Sequence, residues 1–122
     1  MRRHQRAARI AQYLNLTPAQ IAQAKAEFQG VRQQAQPIRQ QLRQVHQAMF
    51  QAIRANDTAQ IAQLSAQEAS LRGQISAMRA DVMAKLYAGL TPAQRAKADQ
   101  LPAHFRQMRQ RWMQNHQAPN NG

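Results

Sequence analysis

The side chains able to do acid–base or nucleophilic chemistry are few and scattered. Four histidines (His4, His46, His104, His116), five carboxylates and three serines are spread over 122 residues that include no cysteine. General acid–base work, or a nucleophile with its base, needs such groups converging in one pocket. No two histidines stand four residues apart, and no Gly-rich phosphate loop is present. Without cysteine there is no disulfide and no thiolate–metal site. The sequence offers no candidate catalytic residue and calls for no cofactor, so an enzyme is not expected. One polar constellation stands apart. Folding the chain back about Ala55-Asn56-Asp57 would bring His46 beside Glu68, with Met49 one turn from His46. Such a His/Glu/Met set could hold a soft or borderline metal. A hydrogen bond that sets helix register is the plainer reading, and no metal site is assigned.

Charge says more than the reactive groups do. There are 17 basic and 5 acidic residues, a formal net charge of +12 that favours anionic partners: nucleic acid, acidic lipid or acidic protein segments. No nucleic-acid module accompanies the arginines, and the few aromatic residues are dispersed rather than gathered into a stacking platform. Specific nucleic-acid binding is therefore not expected. No run approaches the ~20 apolar residues of a membrane span, so no membrane insertion is expected either. The opening Met1-Arg2-Arg3-His4-Gln5-Arg6 leads into an amphipathic stretch and lacks the apolar run of a signal peptide.

The elements that must carry these charges are helical. With 24 Ala and 23 Gln the composition favours helix, and no strand-like alternation competes. Four segments are expected. The first runs from about Gln5 to Leu14, and the second from Thr17 to about Arg54. The third is capped by Asp57 and ends near Ala88, with Gly89 placed for a left-handed C-cap. The fourth opens at Thr91, is kinked or broken before Pro102, and resumes through Trp112. Gly30 and Pro37 should bend the second helix. The organisation is one helical domain over 1–117 with a disordered tail at 118–122.

Heptads counted from Ile21 put Ile21, Phe28, Ala35, Leu42 and Met49 at a, and Ala24, Val31, Ile38, Val45 and Ala52 at d. The third segment places Ile61, Glu68, Ile75 and Val82 at a, with Leu64, Leu71, Met78 and Lys85 at d. Matching seams joined by a short link make an antiparallel hairpin. In an antiparallel pair e lies beside e and g beside g. The e positions carry Lys25, Arg32, Arg39 and His46 on one helix, and Arg72 and Arg79 on the other. Neutral or acidic residues fill g (Glu27, Gln34, Gln41; Gln67, Gln74, Asp81). One edge of the hairpin should be cationic, extended by Arg43 and Phe50. A second helix about 55 Å long exceeds a compact domain of this size. Rods so thin bury little by themselves, so a homodimer is expected.

Two of the helix starts are the same five letters, Leu16-Thr17-Pro18-Ala19-Gln20 and Leu90-Thr91-Pro92-Ala93-Gln94. Thr suits the N-cap, Pro the first helical position, and Gln at N3 can reach back to the cap's N–H. Paired Leu-Thr-x-x-Gln motifs bracketing a long hairpin with an Asn-Asp-Thr turn resemble the LTxxQ family of bacterial envelope proteins, of Spy and CpxP type. Metal-responsive proteins of the ZraP and CnrX type share that hairpin. The resemblance covers roughly Ile10 to Gln100. It implies an all-α, elongated four-helix chain built on a long bent antiparallel hairpin, forming a cradle-shaped antiparallel homodimer. It also implies a periplasmic, ATP-independent chaperone that binds unfolded or partly folded clients on a basic, partly apolar concave face. Carried onto this chain, Leu16, Thr17, Gln20, Leu90, Thr91 and Gln94 match the motif and take helix-starting roles. Lys25, Phe28, Arg32, Arg39, Arg43, Phe50, Ile53, Arg72 and Arg79 are the candidate client-binding residues. The alternative implied is an envelope-stress or metal-responsive regulator that binds a sensor kinase or anti-sigma factor. This chain departs from the pattern in lacking a His- and Met-rich N-terminal extension.

Overall fold

A computed structural model describes the backbone of residues 2–116 and the side chains of residues 5–116; the tail expected at 118–122 lies outside them. Four helices account for the chain: α1 (Arg2–Leu14), α2 (Pro18–Arg54), α3 (Thr58–Ala88) and α4 (Pro92–His116), with no strand among the described residues. The all-α reading holds. Three of the helix starts follow the capping logic to the residue, with Thr17, Asp57 and Thr91 each just before the first helical position.

The helix ends depart from expectation. Among the described residues no glycine has positive φ, so Gly89 is not the left-handed cap. The left-handed residues are Asn15 (φ 55°) and Asn56 (φ 53°), the residue type after Gly that best tolerates this region. Each closes a Schellman motif. Leu16 N donates to Ala11 O at 3.0 Å and Asn15 N to Gln12 O at 3.1 Å. Likewise Asp57 N donates to Ala52 O at 2.9 Å and Asn56 N to Ile53 O at 3.1 Å. Asp57 then starts the next helix, its Oδ1 accepting from Gln60 N at 3.2 Å. One residue thus ends α2 and begins α3, which is why the link is so short.

Both internal prolines are accommodated. α2 runs uninterrupted through Gly30 and Pro37, and α4 through Pro102, so the chain is not broken there.

The contacts gather into two units, α2 with α3 and α1 with α4. In the first, Val31, Ala35, Ile38, Val45 and Ala52 of α2 face Leu64, Leu71 and Val82 of α3, all buried. Leu42, Met49, Ile61, Ile75 and Met78 pack against this line half-buried. Every a and d position of the two heptad registers is buried or half-buried except Lys85, which instead reaches Glu27 Oε2 at 3.6 Å. The seam is one side chain wide. No large side chain in the described residues is fully buried, and Ala35, at 0% exposure, lets the backbones approach closely.

The second unit buries Leu14, 6% exposed, and adds polar and aromatic contacts. Tyr13 stacks on His104 with centroids 4.9 Å apart, and its hydroxyl donates to Gln100 Oε1 at 3.3 Å. The Arg6 guanidinium lies 5.3 Å from the Phe105 centroid. With α1's end against α4's start and Arg6 against Phe105, the pair is antiparallel.

A one-sided cationic flank and a doubly used motif glutamine

The flank is built on the hairpin's register, and one cluster reports that register directly. Glu68 Oε1 accepts from Arg72 Nε at 2.9 Å, one turn along α3, and lies 3.4 Å from His46 Nε2 of α2. An e residue of α2 and an e residue of α3 therefore meet at one carboxylate, so the e edges adjoin. The Arg72 hydrogen bond, and then that of His46, hold the Glu68 carboxyl below the usual carboxylate range. Both side chains reach solvent, with His46 51% and Glu68 28% exposed, so the cluster is a half-open clasp rather than a buried pair. The described residues contain no group of three His, Cys, Asp or Glu able to hold a metal ion.

From this point the heptad carries the charges along the same flank. Arg39 and Arg32 stand one and two heptads before His46, Lys25 one more, and Arg79 one heptad after Arg72. All are exposed except Arg39, which is half-buried. Arg43 sits one position outward, beside the e row. Phe50 occupies the next b position, 56% exposed, with the Arg54 guanidinium 4.4 Å from its centroid. Ile53, at e, is 57% exposed. Two large apolar side chains are thus displayed among arginines. Phe28 differs from the rest of the candidate set, since it is half-buried at an a position and belongs to the seam.

The opposite flank is neutral to slightly acidic. Gln41, Gln44, Gln67 and Ser70 rim an open trough of about 500 Å³ whose floor includes Val45 and Leu64. Glu27 and Asp81 lie on that side, and Lys85 is the one cation that reaches towards it. The sorting of charge onto one side is real.

The second motif copy does more than start a helix. Thr91 N donates to Gln94 Oε1 at 2.9 Å and Gln94 N to Thr91 Oγ1 at 3.2 Å, the reciprocal capping box. The same glutamine then donates from Nε2 to the main-chain oxygen of Asn15 at 3.0 Å. It is the buried polar side chain of the described residues, 7% exposed. With its amide turned to suit its neighbours, Asn15 donates to Gln12 O and accepts from Lys97 Nζ, both at 3.1 Å. Asn15 and Lys97 escaped the sequence reading. An Asn directly after the last periodic residue of a helix was the available signal for the first; nothing local pointed to the second.

A family model described as "LTXXQ motif family protein" matches residues 2–102, from α1 through both motif copies and into α4. Comparison with curated proteins and with solved structures gives no match. Motif, hairpin and match agree: the chain belongs to the LTXXQ motif family, the family of Spy- and CpxP-type proteins.

Proposed function

We propose that this protein is an ATP-independent periplasmic chaperone that holds partly unfolded, acidic clients on the cationic flank of its hairpin. The observation that carries the reading is the display of Phe50 and Ile53, both more than half exposed, on the same flank as Lys25, Arg32, Arg39, Arg72 and Arg79. Cationic groups draw an acidic, non-native chain in quickly over long range. Shallow apolar contacts then retain it without burying enough area for tight binding. Release needs no nucleotide, because a client that buries its own apolar surface no longer offers it to Phe50 and Ile53. Pairing of two copies would extend the flank and cover more of the thin seam.

The test is aggregation of a chemically denatured substrate, followed by light scattering without ATP over a salt series. Protection at a few-fold molar excess, weakening as salt rises, is expected. No protection at any ratio, or protection indifferent to salt, would end this reading. A metal-responsive regulatory role has less support, because the Glu68 carboxylate is already engaged by both His46 and Arg72.

A further inference from the structure

We propose that the C-terminal half of α4 binds an anionic lipid surface, lying along the headgroup layer with Met108 and Trp112 dipped into it. This is separate from the hairpin and does not depend on the chaperone reading. Among the described side chains, the aromatic contacts of α1 on α4 reach no further than Tyr13 on His104 and Arg6 over Phe105. From Arg106 to His116 every residue is exposed.

The exposed half is patterned. Leu101, Phe105, Met108 and Trp112 follow one another at helical spacing and form a single stripe. Leu101 and Phe105 are half-buried, whereas Met108 is 38% and Trp112 60% exposed. At 3.6 residues per turn, Arg109 and Arg111 fall on opposite shoulders of the stripe, each about 80° from its midline. Arg106, Gln107, Gln110, Met113 (55% exposed) and Gln114 share the far side, and no acidic residue follows Asp99. His116 stacks on the indole at 4.2 Å, and its Nδ1 lies 2.8 Å from Trp112 O, fixing one face of the ring.

The charge decides the occupant. A second copy laid on this stripe would set Arg109 and Arg111 against their own kind. An anionic headgroup layer accepts both shoulders at once while the indole rests at the depth Trp favours. Arginine stems can lie along the interface with their guanidinium groups among phosphates. No helix among the described residues is long and apolar enough to cross a membrane, so the contact is peripheral.

Trp112 is the one tryptophan of the chain, so its emission reports this site alone. Full-length protein is titrated with vesicles of phosphatidylcholine containing phosphatidylglycerol, with pure phosphatidylcholine, and with soluble polyglutamate. The anionic vesicles should shift the emission to the blue, lipids brominated in the acyl chain should quench it, and high salt should reverse both. At about 1 kcal/mol per arginine near an anionic surface, Arg109→Gln with Arg111→Gln should weaken partitioning by ~30-fold. Arg32→Gln with Arg39→Gln should leave it unchanged. The idea is overturned by the absence of a shift on anionic vesicles, or by loss of partitioning in the Arg32/Arg39 variant rather than the Arg109/Arg111 one. A shift produced by polyglutamate and not by vesicles would overturn it too, assigning the stripe to an acidic protein.

Discussion

Gln94 and Asn15, distant in sequence, are joined by a hydrogen bond of 3.0 Å from the Gln94 amide to the Asn15 carbonyl. The carbonyl lies in the left-handed turn that ends α1, and the amide belongs to the capping box that begins α4. A helix start and a helix end are thereby tied by one side chain, and the motif's glutamine has both a local and a long-range reason to be glutamine. Gln94→Ala removes a cap acceptor and leaves a carbonyl without its donor, which should cost about 1–3 kcal/mol. Gln94→Glu separates the two roles, since its carboxylate can still accept from Thr91 N but cannot donate to Asn15 O. Hydrogen exchange should show Thr91 protected in the Glu variant while α1 opens. Equal protection of α1 in both variants and the parent would mean the long-range bond contributes nothing.

The two left-handed asparagines make a paired prediction. Asn56→Ala removes the short polar side chain that lets asparagine tolerate φ 53° and should destabilise the hairpin by about 1 kcal/mol, whereas Asn56→Gly should be near neutral. Gly89→Ala carries no such penalty, because Gly89 does not have positive φ. Urea midpoints of the three variants check the order; a Gly89→Ala loss as large as that of Asn56→Ala would contradict it.

Two helix-interior glycines offer the reverse effect. A β-carbon built on Gly30 or Gly73 meets nothing within 4 Å. Alanine at either position should stabilise the protein by about 0.5–1 kcal/mol, through the narrower unfolded ensemble and the better helix former. Thermal melts of the single and double variants should show additive gains. Leu64→Ala, by contrast, empties the seam at a residue 4% exposed and should cost about 2–4 kcal/mol.

Glu68 sets a pH dependence. Its carboxyl is held below the ordinary range by Arg72 and His46, so the folded state prefers it ionised. That contribution is complete above the usual carboxylate range and is lost as pH falls through the lowered folded value. Glu68→Gln should flatten the acid limb of a stability-against-pH curve and leave the neutral plateau comparatively little changed. An acid limb identical to the parent's would show that the clasp adds nothing.

Client binding separates from stability at the flank. Phe50→Ala and Ile53→Ala remove side chains that are more than half exposed, so urea midpoints should move by less than about 0.5 kcal/mol. Protection of an aggregating substrate should nonetheless fall several-fold. Retained protection in the double variant would remove these residues from the binding surface.

The amino-acid sequence determined whatever depends on neighbours three to seven residues apart. The three caps at Thr17, Asp57 and Thr91, the a and d seams, and the placing of Arg32, Arg39, Arg72 and Arg79 on one row all follow from helical period and capping chemistry. The motif family follows too, because two identical helix starts bracket the hairpin. Helix ends were less legible. A C-terminal turn needs positive φ, which Gly and Asn both supply, and only the closed geometry shows that Asn15 and Asn56 take it while Gly89 does not. Tertiary structure alone decided which polar groups meet: Gln94 with Asn15, Tyr13 with His104 and Gln100, Lys97 with Asn15. Such contacts join residues far apart along the chain. No periodicity encodes them, because they depend on which helix packs on which and at what height.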